Sequence, residues 1–335
     1  MTKWAVMILM KHFYLADKEG PMRDKFRGKD FLSLMDFTQE EIMDILDVSY
    51  DLKKKWAARE SHEYLRGKTF AALFEKPSTR TRNSFQVGAA HLGAQAIYIR
   101  PDELQLARGE SIRDTAMVLD RYYDALFIRP ASGTGQDRVN EFSKFMEIPV
   151  INACSDFTHP CQGICDLMTI WEKKRTFKGL KVGWSGDPWN VCHSLMIGSA
   201  LMGMEMVMAL PEGYDPHPKV LEFAQAAAKK NGTRVTVTRD MEKAMRDADV
   251  VVANTFHSMA HEAQKEERKK TFAPYQVNAK AVSVAKPDYI FMHCGPAYVG
   301  EEVTEEIIYG PHSAYFDEAE NRMHTEKAVL VLFVG

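Results

Sequence analysis

Short apolar runs alternate with amphipathic stretches along almost the whole chain. The run Thr69-Phe70-Ala71-Ala72-Leu73-Phe74 is apolar and aromatic and is followed by Pro77, the pattern of a buried strand. Similar runs occur at residues 96–99, 125–128 and 149–152, and again at 181–184, 205–210, 234–237, 250–253 and 289–293. Between them the period changes. Over residues 37–55, Thr38 stands at a capping position, Glu40 and Glu41 fill the first turn, and Ile42, Ile45, Leu46 and Leu52 recur at helical spacing. Further helices are expected at 82–92, 111–122, 162–175, 193–202, 218–231 (stopped by Gly232) and 241–248. Strands separated by helices of about 10–15 residues form parallel sheets covered on both faces. The rhythm runs twice, with a junction near residues 151–158. The expected architecture is therefore α/β: two doubly wound parallel-sheet domains, a cleft between them, and the helix at 162–175 bridging the halves. Functional residues of such folds lie at the carboxyl ends of the strands.

Composition agrees with two soluble domains and removes other classes. The chain has 335 residues, more than one core usually serves. It is 45% hydrophobic and 27% charged with a net charge of -3, which gives no footing for nucleic acid or an anionic membrane surface. Five cysteines, an odd number, point to a reducing, cytoplasmic setting rather than a disulfide framework. Cys161 and Cys165 stand one helical turn apart, but no second ligand pair follows. They read as small buried residues before zinc ligands. The apolar run at residues 4–10 is too short for a secretory signal and reads as a first strand or a leader packed on the body. No window approaches the ~20 apolar residues of a membrane-spanning helix.

Candidate chemistry collects just after the strands. Ser78, Thr79, Arg80, Thr81 and Arg82 sit where strand 69–74 hands over to a helix. Open backbone N–H groups and the helix dipole favour an anion there, and hydroxyls and an arginine fork add donors. A phosphate site and a plain polar loop with a Ser or Thr cap both fit. The P-loop pattern G-x-x-x-x-G-K-[ST] and the dinucleotide pattern G-x-G-x-x-G are both absent from the chain, which argues against a P-loop NTPase and a nucleotide-dependent dehydrogenase. Arg129 follows the strand at 125–128. His159 and Gln162 stand in "SDFTHPCQ", Asn190 in "SGDPWN", Asn254 and Ser258 in "NTFHSMAHE", and Cys294 in "HCGP". Taken singly, each has an ordinary reading: a surface arginine, a structural turn, a buried cysteine. Together they would face one cleft, and suit a small phosphorylated substrate with a polarised carbonyl.

Seven stretches, "FEKPSTRTRNSF", "RGESIRDTAMVLDRYYDALFIR", "DFTHPCQ", "SGDPWNVCHSLM", "HSMAHEAQKEERKKTFAPYQVN", "FMHCGP" and "EAENRMHTEKA", occur in an order that resembles the aspartate/ornithine carbamoyltransferase family, and within it the ornithine enzymes. The resemblance runs from about residue 30 to the end. It implies transfer of a carbamoyl group from carbamoyl phosphate to an amine, giving a ureido product and phosphate, with no metal or organic cofactor. It also implies a homotrimer, or a multiple of trimers, with sites between subunits. Residues 1–157, joined by a C-terminal helix at 322–335, would bind carbamoyl phosphate; residues 158–321 would bind the amino acid. By position, Ser78, Thr79, Arg80 and Thr81 match the phosphate loop. Arg129, His159 and Gln162 match the carbamoyl contacts, and Arg322 matches a further carbamoyl phosphate contact. Gln105 matches a residue lent to a neighbouring subunit's site. Asn190 matches the residue that holds the amino-acid carboxylate. Ser258 and Met259 match a loop that closes over the amino acid. Cys294 and Gly295 match residues beside the attacking amine.

The acceptor side departs from the ornithine pattern. Asn254 stands where that pattern has an aspartate, Ala260 replaces a glycine, Gly295 and Cys154 each replace a leucine, and Trp189 adds an aromatic ring near the substrate. An amide keeps a hydrogen bond but loses the charge that would pair with an ammonium. Three readings therefore stand: an ornithine carbamoyltransferase, a paralogue with another amine acceptor, and a carbamoyl phosphate-binding protein with little transfer.

Overall fold

A computed structural model describes residues 24–133, 135–257 and 262–335. The apolar run near the N-terminus, and Ser258, Met259 and Ala260, lie outside the described residues.

Two parallel sheets form the scaffold. The first contains β1 (Thr69–Phe74), β2 (Gln95–Ile99), β3 (Ala125–Arg129) and β4 (Val150–Asn152) in the order β2-β1-β3-β4. The second contains β5 (Lys181–Ser185), β6 (Glu205–Ala209), β7 (Val235–Thr238), β8 (Val250–Ala253) and β9 (Ile290–Met292) in the order β7-β6-β5-β8-β9. Every pairing is parallel. The strand order reverses between β1 and β3 and again between β5 and β8, and crevices at such points hold ligands.

The helices follow the sequence pattern with informative exceptions. In α1 (Gln39–Ala57) Thr38 accepts from the Glu41 N–H while Glu41 accepts from the Thr38 N–H, a reciprocal cap. Helix α2 (Arg80–His91) starts two residues before the expected position, so Arg80 and Thr81 belong to its first turn. Helices α3 (Ile112–Leu119) and α4 (Gly135–Phe145) flank β3, and α4 was not foreseen. Helix α5 (Pro160–Lys174) links the two sheets. Helix α6 (Asn190–Leu201) is buried along its length from Val191 to Ala200, as befits a helix wedged between α5 and α7 (Pro218–Lys230). Helix α8 (Met241–Met245) is shorter than expected and ends before Asp247, whose φ is 56°. Then come α9 (Lys265–Phe272), α10 (Ala279–Val282), α11 (Glu305–Ile308) and α12 (Tyr315–Val334). Helix α12 begins seven residues earlier than expected and packs on α1, α2 and α5.

Aromatic contacts fix the first sheet's helices. Phe85 of α2 stacks on Phe127 of β3 with ring centroids 3.9 Å apart. Phe333 of α12 packs on Phe26, Phe31 and Phe37, tying the end of the chain to the segment before α1. This contact holds α12 against the first sheet while its opening turns reach the end of β9.

Candidate active site

The carboxyl ends of β1, β3, β5, β8 and β9 surround a cavity of about 410 Å³, a size suited to small metabolites. On one side is the loop after β1. Thr79 occupies the cap position of α2, but no side-chain hydrogen bond caps the helix. The expected Ser or Thr cap is therefore absent, and the dipole of α2 opens into the cavity without it. Glu75 accepts from the Ala131 N–H at 2.7 Å and pairs with Arg138. It thereby ties this loop to the one after β3. Arg129, at the end of β3, donates through Nη1 to Ser78 Oγ at 3.2 Å. Arg82 turns away and lies over the Tyr98 ring.

The floor of this side comes from α5 and α12. Arg322 donates to Gln162 Oε1 (2.6 Å), Thr81 Oγ1 (2.9 Å) and Glu326 Oε1 (3.0 Å). Gln162 Nε2 donates to Asp166 Oδ1 (2.7 Å) and Glu318 Oε1 (2.8 Å). The His159 N–H donates to Ser194 Oγ at 2.8 Å, which fixes the start of α5 on α6. Burial, with Arg322 and Arg129 beside it, holds the His159 imidazole neutral, its pKa well below the ordinary range. Among the described residues, Arg129 Nε, His159 Nδ1 and Arg322 Nε have no hydrogen-bond partner. The side chains of Arg129, His159 and Arg322 all belong to the lining of this side, so two permanent cations and a neutral imidazole stand together beside the open start of α2.

The opposite side is made of neutral groups. Asn254, after β8, donates through Nδ2 to the Asp187 carbonyl (3.1 Å) and accepts from Cys294 Sγ (3.4 Å). Burial first, and Glu318 and Asp166 after it, push the Cys294 thiol far up, so it serves as an S–H donor rather than a nucleophile. Asn190 Nδ2 donates to the Ser155 carbonyl at 2.6 Å. The loops after β5 and β8 touch at Gly186. Its φ is 118°, and a Cβ there would come within 2.1 Å of the Asn254 carbonyl oxygen. Gly295 is similar: its φ is 64°, and a Cβ would meet the Arg80 guanidinium at 2.6 Å. The missing side chain leaves room for Arg80, which donates to Tyr315 Oη at 3.2 Å.

The cavity lining includes Ser78, Thr79, Arg80, Thr81, Arg129, His159, Gln162, Asn190, Asn254, Cys294, Gly295 and Arg322. Gln105 does not join them; it lies exposed on a short turn after β2. Lys76, Asp156, His257 and Tyr298 also line the cavity and were not singled out from sequence. Lys76 stands between Glu75 and Pro77 in the quoted loop, a signal that was available. Tyr298 lies in a loop with no periodic pattern. A further pair emerges only in three dimensions: Arg268 of α9 donates to Asp187 at 3.1 Å, both side chains buried. This ties the helix following residues 258–261 to the loop before α6.

Comparison with known proteins agrees with this arrangement. The model of the "Aspartate/ornithine carbamoyltransferase, carbamoyl-P binding domain" matches residues 29–172, and that of the "Asp/Orn binding domain" matches residues 178–333. The ornithine carbamoyltransferase of Pyrococcus abyssi is 50% identical over 309 residues, 92% of this chain and 96% of that protein. The solved structure of ornithine carbamoyltransferase from Pyrococcus furiosus superposes with a TM-score of 0.88 at 49% identity, over 92% of this chain and 98% of that one. A mitochondrial ornithine carbamoyltransferase from Coccidioides immitis gives a TM-score of 0.84 at 31% identity, covering 92% and 98%. A chain matched along both of its halves, and sharing a fold whose cleft gathers these groups, belongs to the aspartate/ornithine carbamoyltransferase family.

Proposed function

We propose that the protein transfers the carbamoyl group of carbamoyl phosphate to the side-chain amine of ornithine, giving citrulline and phosphate. The observation that supports this reading best is the convergence of Arg129, His159, Gln162 and Arg322 beside the open start of α2. In this reading Ser78, Thr79, Arg80, Thr81 and Arg322 hold the phosphate. Arg129 and neutral His159 donate to the carbamoyl oxygen, where negative charge grows as the amine attacks. Gln162 has both amide hydrogens committed to Asp166 and Glu318. Its Oε1, which already accepts from Arg322, has a second lone pair that can accept from the carbamoyl NH₂. The amine nitrogen bonds to the carbonyl carbon, the C–O bond to phosphate breaks, and the leaving phosphate carries away the negative charge and takes up the proton that the amine nitrogen gives up. Asn190 would hold the amino-acid carboxylate. Asn254 would face the α-ammonium of the amino acid, Cys294 and the Gly295 carbonyl would face the attacking amine, and Ser258 and Met259 would close over the amino acid. Positioning and carbonyl polarisation supply the rate.

Residues 1–157 with the helix at 322–335 would form the carbamoyl phosphate half, and 158–321 the amino-acid half. The exposed Gln105 fits a role in a neighbouring subunit's site, in a homotrimer or multiple of trimers. Mixing inactive Arg80→Ala chains with inactive Gln105→Ala chains should then restore activity, because a hybrid trimer holds a site free of both changes. Failure of recovery in verified mixed trimers would refute the shared site. No helix among the described residues is long and apolar enough to cross a membrane, and all five cysteines are free thiols, which supports a cytoplasmic, reducing location. The test of function is direct: carbamoyl phosphate is supplied with ornithine and a panel of other amines, and both ureido product and phosphate are measured. Phosphate release without ureido product would refute transfer.

A further inference from the structure

Beneath Gln162 lie two buried carboxyl groups that the reaction itself does not call on. Asp166 comes from α5 and Glu318 from the first turn of α12, and both are almost fully buried. Each accepts one hydrogen of the Gln162 amide, Asp166 Oδ1 at 2.7 Å and Glu318 Oε1 at 2.8 Å. The other oxygen of Glu318 accepts from the backbone N–H of His293 at 2.9 Å, the residue before Cys294. One side chain therefore grips the carbamoyl-side amide and the turn beside the acceptor. No other residue described here bonds to both.

Two adjacent carboxylates in a dry site cannot both ionise comfortably. Burial pushes both groups up, Asp166 to about 6 and Glu318 well above the ordinary carboxyl range, with neighbouring Asp166 adding to the rise in Glu318. The surrounding charges do not remove the conflict. Arg322 is the nearest cation, but Glu326 shares it. Arg80 donates to Tyr315 Oη instead. The Cys165 and Cys294 thiols are held protonated by burial and by these same acids. His293 turns its Nε2 to Glu302 instead.

We propose that Asp166 and Glu318 form a proton-sharing pair that positions Gln162 against the carbamoyl group and, through His293, sets the Cys294 turn at the same time. Both are positioning residues, since neither lines the cavity. The inference rests on the carbamoyl-transfer reading. With one proton shared, the pair accepts two amide hydrogens and holds the Gln162 plane. With that proton gone, mutual repulsion drives the carboxylates apart and the amide loses its orientation. Activity should then fall on the alkaline side.

The test is kcat/KM for carbamoyl phosphate at saturating ornithine, from about pH 6 to about pH 10, in the full chain and three variants whose folding is checked by thermal melting. Wild type should lose activity on the alkaline side. Glu318→Gln, which mimics the protonated acid, should keep activity within roughly fivefold at neutral pH and lose the alkaline limb. Asp166→Asn leaves a single carboxylate with no like charge to repel it, so its alkaline limb should disappear as well. Glu318→Ala should lower kcat at least ~50-fold and raise KM for ornithine, since it frees both the Gln162 amide and the Cys294 turn. If Glu318→Ala fails to fold, the Glu318→Gln and Asp166→Asn profiles decide. A wild-type profile flat to high pH, or an alkaline limb that persists in Glu318→Gln or in Asp166→Asn, would overturn the proposal. A wild type that makes no ureido product would instead overturn the reading on which it rests.

Discussion

On the side of the cleft proposed for carbamoyl phosphate the lining polar groups are charged, buried and cross-braced; on the side proposed for the acceptor the lining groups named above are amides, a thiol and aromatic rings, with the buried Arg268–Asp187 pair behind them. Arg322 by itself joins α12 to both α2 and α5, through Thr81 and Gln162, and Glu318 and Asn321 add further bonds to α5. Between the loops after β8 and β5, the Asn254 side chain contributes one neutral amide bond, to the Asp187 carbonyl. The difference follows from what each side must hold. A phosphate carries a fixed charge, so permanent cations suit it. An attacking amine must shed its proton, and a strongly anionic pocket would keep it protonated. The neutral side thus favours the free amine, at the cost of a weaker grip on the amino acid's ammonium group.

Breaking the charged side should cost most. Arg129→Ala removes a donor to the developing oxyanion, and kcat should fall ~10²–10³-fold while KM for ornithine moves little; steady-state kinetics with both substrates would check this, and a loss below threefold would remove Arg129 from the chemistry. Arg80→Ala comes next. A lost charge-assisted contact of about 2–3 kcal/mol should lower kcat/KM for carbamoyl phosphate by roughly two decades, and wild-type-like kinetics would dismiss the phosphate loop. On the neutral side, Asn254→Asp should sharpen the contrast. The new charge is worth about 1–3 kcal/mol against an ammonium, but the bond to the Asp187 carbonyl is lost, at about 1 kcal/mol. The net result should be a gain in kcat/KM for ornithine of up to ~10-fold that shrinks in high salt. No gain in low salt would make Asn254 a lock between loops and nothing more.

The smallest effect concerns pH. His159 is held neutral well below the ordinary histidine pKa. Kinetics for carbamoyl phosphate should therefore show no histidine titration between about pH 7.5 and 6, where an ordinary imidazole needed neutral would cost about fourfold. Stability should respond instead. His193 accepts from the His217 N–H and contacts the Phe157 carbonyl, as a neutral ring can, and burial lowers it to about 4. The unfolded chain takes up these protons below ~6.5. The native state does so only at lower pH, so Tm should drop as pH falls from about 7 to 5. His193→Gln should flatten that slope, and an identical slope would exclude His193 as a source.

Much of this was legible in the chain, and the gaps have physical causes. Strands 69–74 and 250–253 stand where the apolar runs end, because a strand buried on both faces has no polar residue to blur its limits. Helix α4 escaped because only Gly135, Val139 and Phe142 of its residues are buried, too few to display a period. The opening turns of α12 were missed for the opposite reason. Glu318, Asn321 and Arg322 are buried there, and a helix that buries its charges carries no apolar stripe. The same burial hid the role of Glu318, which lay in the quoted "EAENR" beside the recognised Arg322. Asp187 and Arg268 are far apart in sequence, and nothing local announces their pairing.

The most direct test of the central claim is product analysis with purified protein, carbamoyl phosphate and an amine panel. Ornithine should yield citrulline and phosphate in equal amounts, with kcat/KM near ~10⁵ M⁻¹s⁻¹, within the ordinary enzyme range, and no other amine should exceed it. Phosphate without citrulline, or another amine preferred by more than ~10-fold, would contradict it.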